Sequence, residues 1–318
     1  MQAFRLTLCL LFFGFSLSAQ NREILAEYRI AFMGQDIENP IYEAAFKGAQ
    51  LAARELEREY SIQIELMMRT PMVTEGVTQT AVLSELQHER LDGLIISPAE
   101  DASIRDAIGA ALEIEDAVVF FENQLPEAVP LLSVLADETE AGRMAGREIL
   151  KHLPTGGRVS ILTRTKPTEE LRQRLKGVRE VLGFRRIESV VHCDPNYRAA
   201  IERLHQAEEA DRNGLIDAWI FLEDWPLRGM PALPWQPGAK PLVALQSSPS
   251  AFLYMEQGYL KALVVHPYFD WGYTGMEALI KKIHDKQSPE VNSIYFEPGI
   301  INLRGQREYQ DSWREWLR

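Results

Sequence analysis

Two acidic strand ends and one polar loop are where this sequence could do chemistry. Glu122-Asn123-Gln124 closes the apolar run Ala117 to Phe121, and Glu223-Asp224 closes Ile216 to Leu222. The loop Gln35 to Tyr42 follows the apolar run Tyr28 to Gly34. A carboxylate offers two oxygens to neighbouring hydroxyls, and an ionised acceptor makes the stronger hydrogen bond, so Glu122 and Glu223 suit a polyhydroxylated molecule. Tyr42 either stacks on an apolar ring face or staples a helix start to the core. Asn39-Pro40 also reads two ways, as part of a binding loop or as the N-cap and first residue of a helix. His192-Cys193-Asp194 invites a metal reading, but neighbours on a strand point to opposite faces, and neither a metal nor a cofactor is expected.

These groups need elements to position them. Tyr28 to Gly34 reads as a strand, and Ile41 to Glu59 has the spacing of an amphipathic helix. The cycle repeats: a strand over Ser61 to Met68, a helix over Val73 to Arg90, and the run Leu91 to Pro98 with Glu100 and Asp101 just beyond. Ser103 to Leu112 is the next helix and Ala117 to Phe121 the next strand. A second series opens at Asp137 with a helix whose first turn is acidic, which suits the helix dipole. After the Gly156-Gly157 turn, strands are expected over Arg158 to Leu162, Ile187 to His192 and Ile216 to Leu222. Helices over Thr168 to Leu182 and Tyr197 to Ala210 alternate with them, and Leu242 to Leu245 and Ala262 to Val265 complete this sheet. Such alternation forces parallel pairing and right-handed crossovers.

A helix followed by LDGLIISPAED in the first series resembles one followed by LIDAWIFLEDWP in the second. The fold class is therefore α/β, with two Rossmann-like lobes on one plan whose polar strand ends face each other across a cleft. Ligands of open α/β sheets sit beyond the carboxyl ends of the strands. Between Asp224 and Pro241, four prolines at 226, 231, 234 and 237 forbid a continuous helix. Trp225 and Trp235 in this stretch line the pocket, cover the sheet or meet a partner protein.

The first 19 residues, with Arg5 ahead of an apolar core and small residues near Ala19, read as a cleaved secretory signal peptide. The apolar run falls short of the roughly 20 residues that span a membrane. Cleavage removes Cys9 and leaves Cys193, so no internal disulfide is available and the core alone must hold the exported chain. A net charge of −12, from 34 Lys and Arg against 46 Asp and Glu, argues against nucleic acid as a partner. There is no Gly-x-Ser-x-Gly elbow, no phosphate-cradling loop after the first strand and no His pair at ligand spacing, so an enzyme is not expected.

Taken in order, Asn39-Pro40-Ile41-Tyr42, Asp92 to Pro98, Ala136-Asp137-Glu138 with Gly142, Arg174 with Gly177, and Gly258 to Ala262 leading into His266 resemble the type I periplasmic binding proteins. The likeness is to the ribose-binding and related sugar-binding branch of ABC importer receptors, from about Tyr28 to about Arg304. It implies a three-crossing hinge, with chain crossings near Leu135, His266 and Phe296. An N-terminal lobe of 27–135 plus 267–296 and a C-terminal lobe of 136–266 plus 297–318 follow. It also implies ligand contacts from Asn39, Tyr42, Glu122, Arg174, Asn196, Glu223, Gln246 and His266. His266 is equally a structural hydrogen-bonder, and Arg174 sits in a strongly basic stretch. The implied protein is a periplasmic, monomeric receptor that closes on a sugar-like molecule. It hands that molecule to an ABC permease or, alternatively, reports it to a sensor kinase ectodomain. A DNA-binding repressor of this fold is excluded by the exported N-terminus and the lack of a helix-turn-helix head. Glu122 and Glu223 come from opposite lobes with Arg174 as the placed cation, so the ligand is expected to be neutral.

Overall fold

The computed structural model describes residues 24–100, 102–111, 117–125, 128–246 and 248–318; the expected signal peptide, 1–19, lies outside the described residues. The first strand, β1 (Glu27–Met33), runs into α1 (Pro40–Tyr60). Asn39 caps that helix, its side chain accepting from Ile41 N, and Pro40 takes the first helical position where its missing N–H costs nothing. Then follow β2 (Gln63–Met68), α2 (Gln79–Leu86), β3 (Gly93–Ile96), α3 (Ala102–Ala111), β4 (Val118–Phe121) and β5 (Leu132–Ala136). The single helix expected over Val73 to Arg90 is not formed. A 3-10 turn at Val73–Glu75 ends at Gly76, whose φ of 76° leaves the helical region, and α2 starts afresh from Thr78, whose side chain accepts from Ala81 N.

The second series holds α4 (Glu138–Leu150), β6 (Val159–Arg164), α5 (Glu169–Leu182), β7 (Ile187–Cys193), α6 (Tyr197–Ala210), β8 (Ala218–Phe221), β9 (Leu242–Leu245), α7 (Ser250–Glu256) and β10 (Leu260–Val265). The chain then returns through α8 (Tyr268–Asp285) and β11 (Ser293–Phe296), and crosses again to β12 (Gly299–Asn302) and α9 (Gln306–Trp316).

Among the described residues these strands make two six-stranded sheets, ordered β11-β5-β4-β3-β1-β2 and β12-β10-β9-β8-β6-β7. All pairings are parallel except β12 against β10. The two sheets thus share one strand order, and their lower ends repeat in atomic detail. Asp92 Oδ2 accepts from Arg29 N at 2.7 Å in one lobe, and Asp217 Oδ2 from Arg158 N at 2.8 Å in the other. Arg29 pairs with Glu65, and Arg158 with Glu188. The second sheet does not end at β10, as the apolar runs suggested. β11 and β12 are short edge strands, only partly buried, so hydrophobic patterning does not mark them.

The chain passes between sheets between β5 and α4, between β10 and α8, and between β11 and β12. Helix α8 packs on β3, β4 and β5 beside α1, while α4 packs on β8, β9 and β10 beside α5. The α4–α5 contact is close because it is made through glycine: a Cβ on Gly142 would lie 2.0 Å from Arg174 O, and one on Gly177 2.0 Å from Thr139 O. Helix α9 touches both halves, packing on α1 and β12, with Trp313 against Tyr268 and Trp316 stacked on Phe269.

The proline-rich stretch after β8 forms a single 3-10 turn, Trp225–Leu227. Its apolar residues do the work of a helix in covering the sheet. Trp235 stacks on Trp219 with centroids 6.0 Å apart and planes 5° from parallel, and Leu227 and Leu233 are buried. Among the described residues no helix is long and apolar enough to cross a membrane.

Candidate ligand-binding cleft

The carboxyl ends of both sheets meet at a cavity of about 380 Å³, at the small end of the range of about 300–1,000 Å³ for small-molecule sites. Six of the eight expected contact residues line it: Asn39, Tyr42, Glu122, Arg174, Glu223 and Gln246. Asn196 and His266 are not among the lining residues. Asn196 is used as the N-cap of α6, accepting from Ala199 N at 2.8 Å, and its neighbour Pro195 lines the cavity instead. His266 is buried, with Nε2 3.2 Å from Glu138 Oε2.

Glu122 stands at the centre. Tyr42 OH donates to its Oε2 at 2.9 Å and Ser97 Oγ to the same oxygen at 2.7 Å, while Gln246 Nε2 reaches Oε1 at 3.3 Å from the opposite lobe. Burial pushes the Glu122 carboxyl up to about 6, against the hydrogen bonds from Ser97 and Tyr42 that favour ionisation. Burial likewise raises Tyr42 well above its ordinary value, so its phenol stays a donor. The loops around Glu122 are held by a residue the sequence did not single out. Gln79 Nε2 donates to Gly34 O and to Ser97 O, both at 2.8 Å, and its Oε1 accepts from Ala99 N, which fixes the ends of β1 and β3 relative to each other.

Arg174 reaches the cavity wall already committed. Its Nε and Nη2 donate to the two oxygens of Glu138 at 2.6 and 3.0 Å, and Nη1 donates to Leu222 O at 2.8 Å. Burial alone would neutralise Glu138, but Arg174 and His266 win and hold it far below the usual carboxylate range. The group is a buried Arg–Glu–His cluster. Glu138 opens α4 just after the first crossing, and His266 follows β10 at the second, so the cluster ties two crossings to α5.

Two further arginines line the cavity, Arg164 and Arg228, which sequence reasoning missed. Each has its own carboxylate. Arg164 Nε donates to Glu223 at 3.0 Å, and Arg228 Nη2 to Asp224 at 2.7 Å. Burial would lower both guanidinium values, and the ion pairs override it and raise them. Arg164 occupies the carboxyl end of β6, so the repeated plan of the two lobes pointed to it; the surrounding basic stretch hid it. The arginines lining the cavity are therefore all neutralised within the protein, while two groups remain open. Glu170 Oε2 and Trp225 Nε1 are buried without a hydrogen-bond partner among the described residues, and both residues line the cavity. Burial raises the Glu170 carboxyl above its ordinary value. An unmatched acceptor and an unmatched donor in one cavity is an arrangement that a hydroxylated guest satisfies. At His192-Cys193, His192 is exposed and Cys193 buried, the opposite facing expected of strand neighbours.

Two α/β lobes with one strand order, joined by three crossings around such a cavity, define the type I periplasmic receptor fold. Residues 30–287 match the model of the periplasmic binding protein domain, and the chain belongs to that family. Its fold is similar to that of the periplasmic ribose ABC transporter from Conexibacter woesei, at 17% identity over 91% of this chain and 96% of that one, TM-score 0.73. It is also similar to a Caulobacter myo-inositol binding protein bound to myo-inositol, at 17% identity over 88% and 95% of the two chains, TM-score 0.70. An Actinobacillus succinogenes ABC transporter periplasmic solute binding protein with bound D-allose resembles it at 14% identity over 89% of this chain and 100% of that one, TM-score 0.71. No curated protein matches the sequence.

Proposed function

We propose that this protein is a periplasmic solute receptor, released from its signal peptide, that closes on a neutral sugar or sugar-like molecule and delivers it to an ABC importer. The observation that carries the reading is the charge state of the cavity. Arg164, Arg174 and Arg228 are each matched by a carboxylate, whereas Glu170 Oε2 and Trp225 Nε1 still lack partners among the described residues. An anion would face Glu122 and Glu170, and among the described lining residues each arginine is already paired with a carboxylate. At about 4 Å each such pair costs roughly 4 kcal/mol at an effective dielectric near 20. A hydroxyl group can donate to Glu170 and accept from Trp225. The ligands named for the similar structures, ribose, myo-inositol and D-allose, are polyhydroxylated and support the same chemistry.

The three crossings give the hinge, with lobes of 27–135 plus 267–296 and 136–266 plus 297–318, and closure buries the ligand from both sides. Calorimetry against neutral, acidic and amino sugars, paired with small-angle scattering, tests the reading. Binding of neutral members with a fall in radius is expected; binding of acidic members alone would overturn it.

A further inference from the structure

A second chamber of about 800 Å³ adjoins the cavity just described. The two meet at Glu122 and Glu170, each of which lines both. The larger chamber lies toward the crossings, bounded by Leu135 and Ala136 at the end of β5 and by Tyr295 of β11, and faced by Gln173 of α5. At its lip the lobes touch: Glu100 Oε1, from the first, accepts from Glu169 N, at the start of α5 in the second, at 3.1 Å.

The lining is of mixed character. Leu125, Ala128, Leu135 and Tyr295 supply apolar surface, Gln124 and Gln173 supply amide donors and acceptors, and among the described lining residues the carboxylates outnumber the arginines. That combination fits a second hydroxylated ring and is unfavourable to phosphate or carboxylate. Glu170 Oε2, buried without a partner among the described residues, lies in the wall common to both chambers.

From this geometry we infer that the ligand has two units, as in a disaccharide or a glycoside with a bulky aglycone. One ring sits in the smaller cavity between Tyr42, Glu122 and Trp225. The second sits in the larger chamber against Tyr295 and Gln173, and hydroxyls flanking the bridging oxygen donate to Glu170. The inference rests on the sugar-binding reading given above and adds the size of the guest to it.

Titration calorimetry of the purified protein with aldohexoses, their methyl and phenyl glycosides, and a set of disaccharides decides the matter. At least one two-unit member should bind tenfold or more tightly than its own monosaccharide. Gln173→Trp, a filling change on the half-buried face of α5, should lower the affinity for the two-unit ligand at least tenfold while leaving the monosaccharide within about twofold. Tyr295→Ala, at a residue 61% exposed and so without consequence for folding, should weaken the two-unit ligand alone. Monosaccharides that bind as tightly as every larger member, with no effect of either substitution, would overturn the two-unit ligand and leave the sugar receptor standing. Silence across the whole panel would overturn both.

Discussion

Glu122 and Gln246 meet across the interlobe cleft at 3.3 Å, and both hold a left-handed backbone, with φ of 62° and 60°. Each stands one residue past the end of its strand, Glu122 after β4 and Gln246 after β9, at matching places in the two sheets. A left-handed conformation in a residue other than glycine costs about 1–3 kcal/mol and persists where the surroundings over-determine it. Here it brings two polar side chains together from opposite lobes in the wall of the candidate cleft.

The Glu122 carboxyl sets a pH dependence of stability. Its value rises from 4.5 to about 6 on folding, so the folded state binds the proton more tightly. Stability from this group is fully present below the unfolded value and is lost as pH rises through about 6. At roughly 1.4 kcal/mol per pH unit this amounts to about 2 kcal/mol. Glu170 shifts in the same direction, whereas Glu138, held low, withdraws stability only as pH falls below the ordinary carboxylate range. Urea melts of the wild type and of Glu122→Gln at about pH 5 and about pH 7.5 should show the variant gaining on the wild type at the higher pH. A gap between the two proteins that does not change with pH would refute the assignment.

Arg174→Ala should unfold the protein more readily as well as weaken ligand binding. The substitution strands Glu138 in a buried site beside His266, and breaking a buried ion pair costs about 3–5 kcal/mol. Arg174→Lys should recover little, because lysine cannot form the two-pronged contact with Glu138 or reach Leu222 O at the same time. Denaturant midpoints of both variants within experimental error of the wild type would return Arg174 to a purely ligand-binding role.

Gly142→Ala tests how closely α4 and α5 must approach. The added carbon would lie 2.0 Å from Arg174 O, so the helices must separate and shift the guanidinium from Glu138. Overpacking of this kind costs about 1–3 kcal/mol. A lowered melting temperature with weakened ligand binding is the expected result, and an unchanged melting temperature would show that the interface has slack.

Trp235→Ala should cost about 3–5 kcal/mol, as large-to-small changes of buried aromatics do, since Trp235 is 7% exposed and stacks on Trp219. Trp235 is not among the residues lining the cavity, so ligand affinity measured well below the melting transition should stay within about twofold. Loss of binding without loss of stability would place this tryptophan in recognition instead.

The strand–helix alternation, the doubling of the plan in two lobes and the polar strand ends were legible in the amino-acid sequence, because buried parallel strands are apolar runs and the helices between them have their own period. Asn39, Tyr42, Glu122 and Glu223 could be picked out because their places are local, at strand ends and at a helix start. Tertiary structure decided the rest. Whether Arg174 is free or committed depends on Glu138 and His266, 36 and 128 positions apart from their partners in the chain, and no pattern of neighbours reports such pairing. The same holds for Arg164 and Arg228, whose charges the protein neutralises, and for Gln79, which clamps two loops from a helix of its own. β11 and β12, half-buried at the sheet edges, exist because β5 and β10 offer them unpaired backbone groups, a condition that arises only once the rest of each sheet has formed.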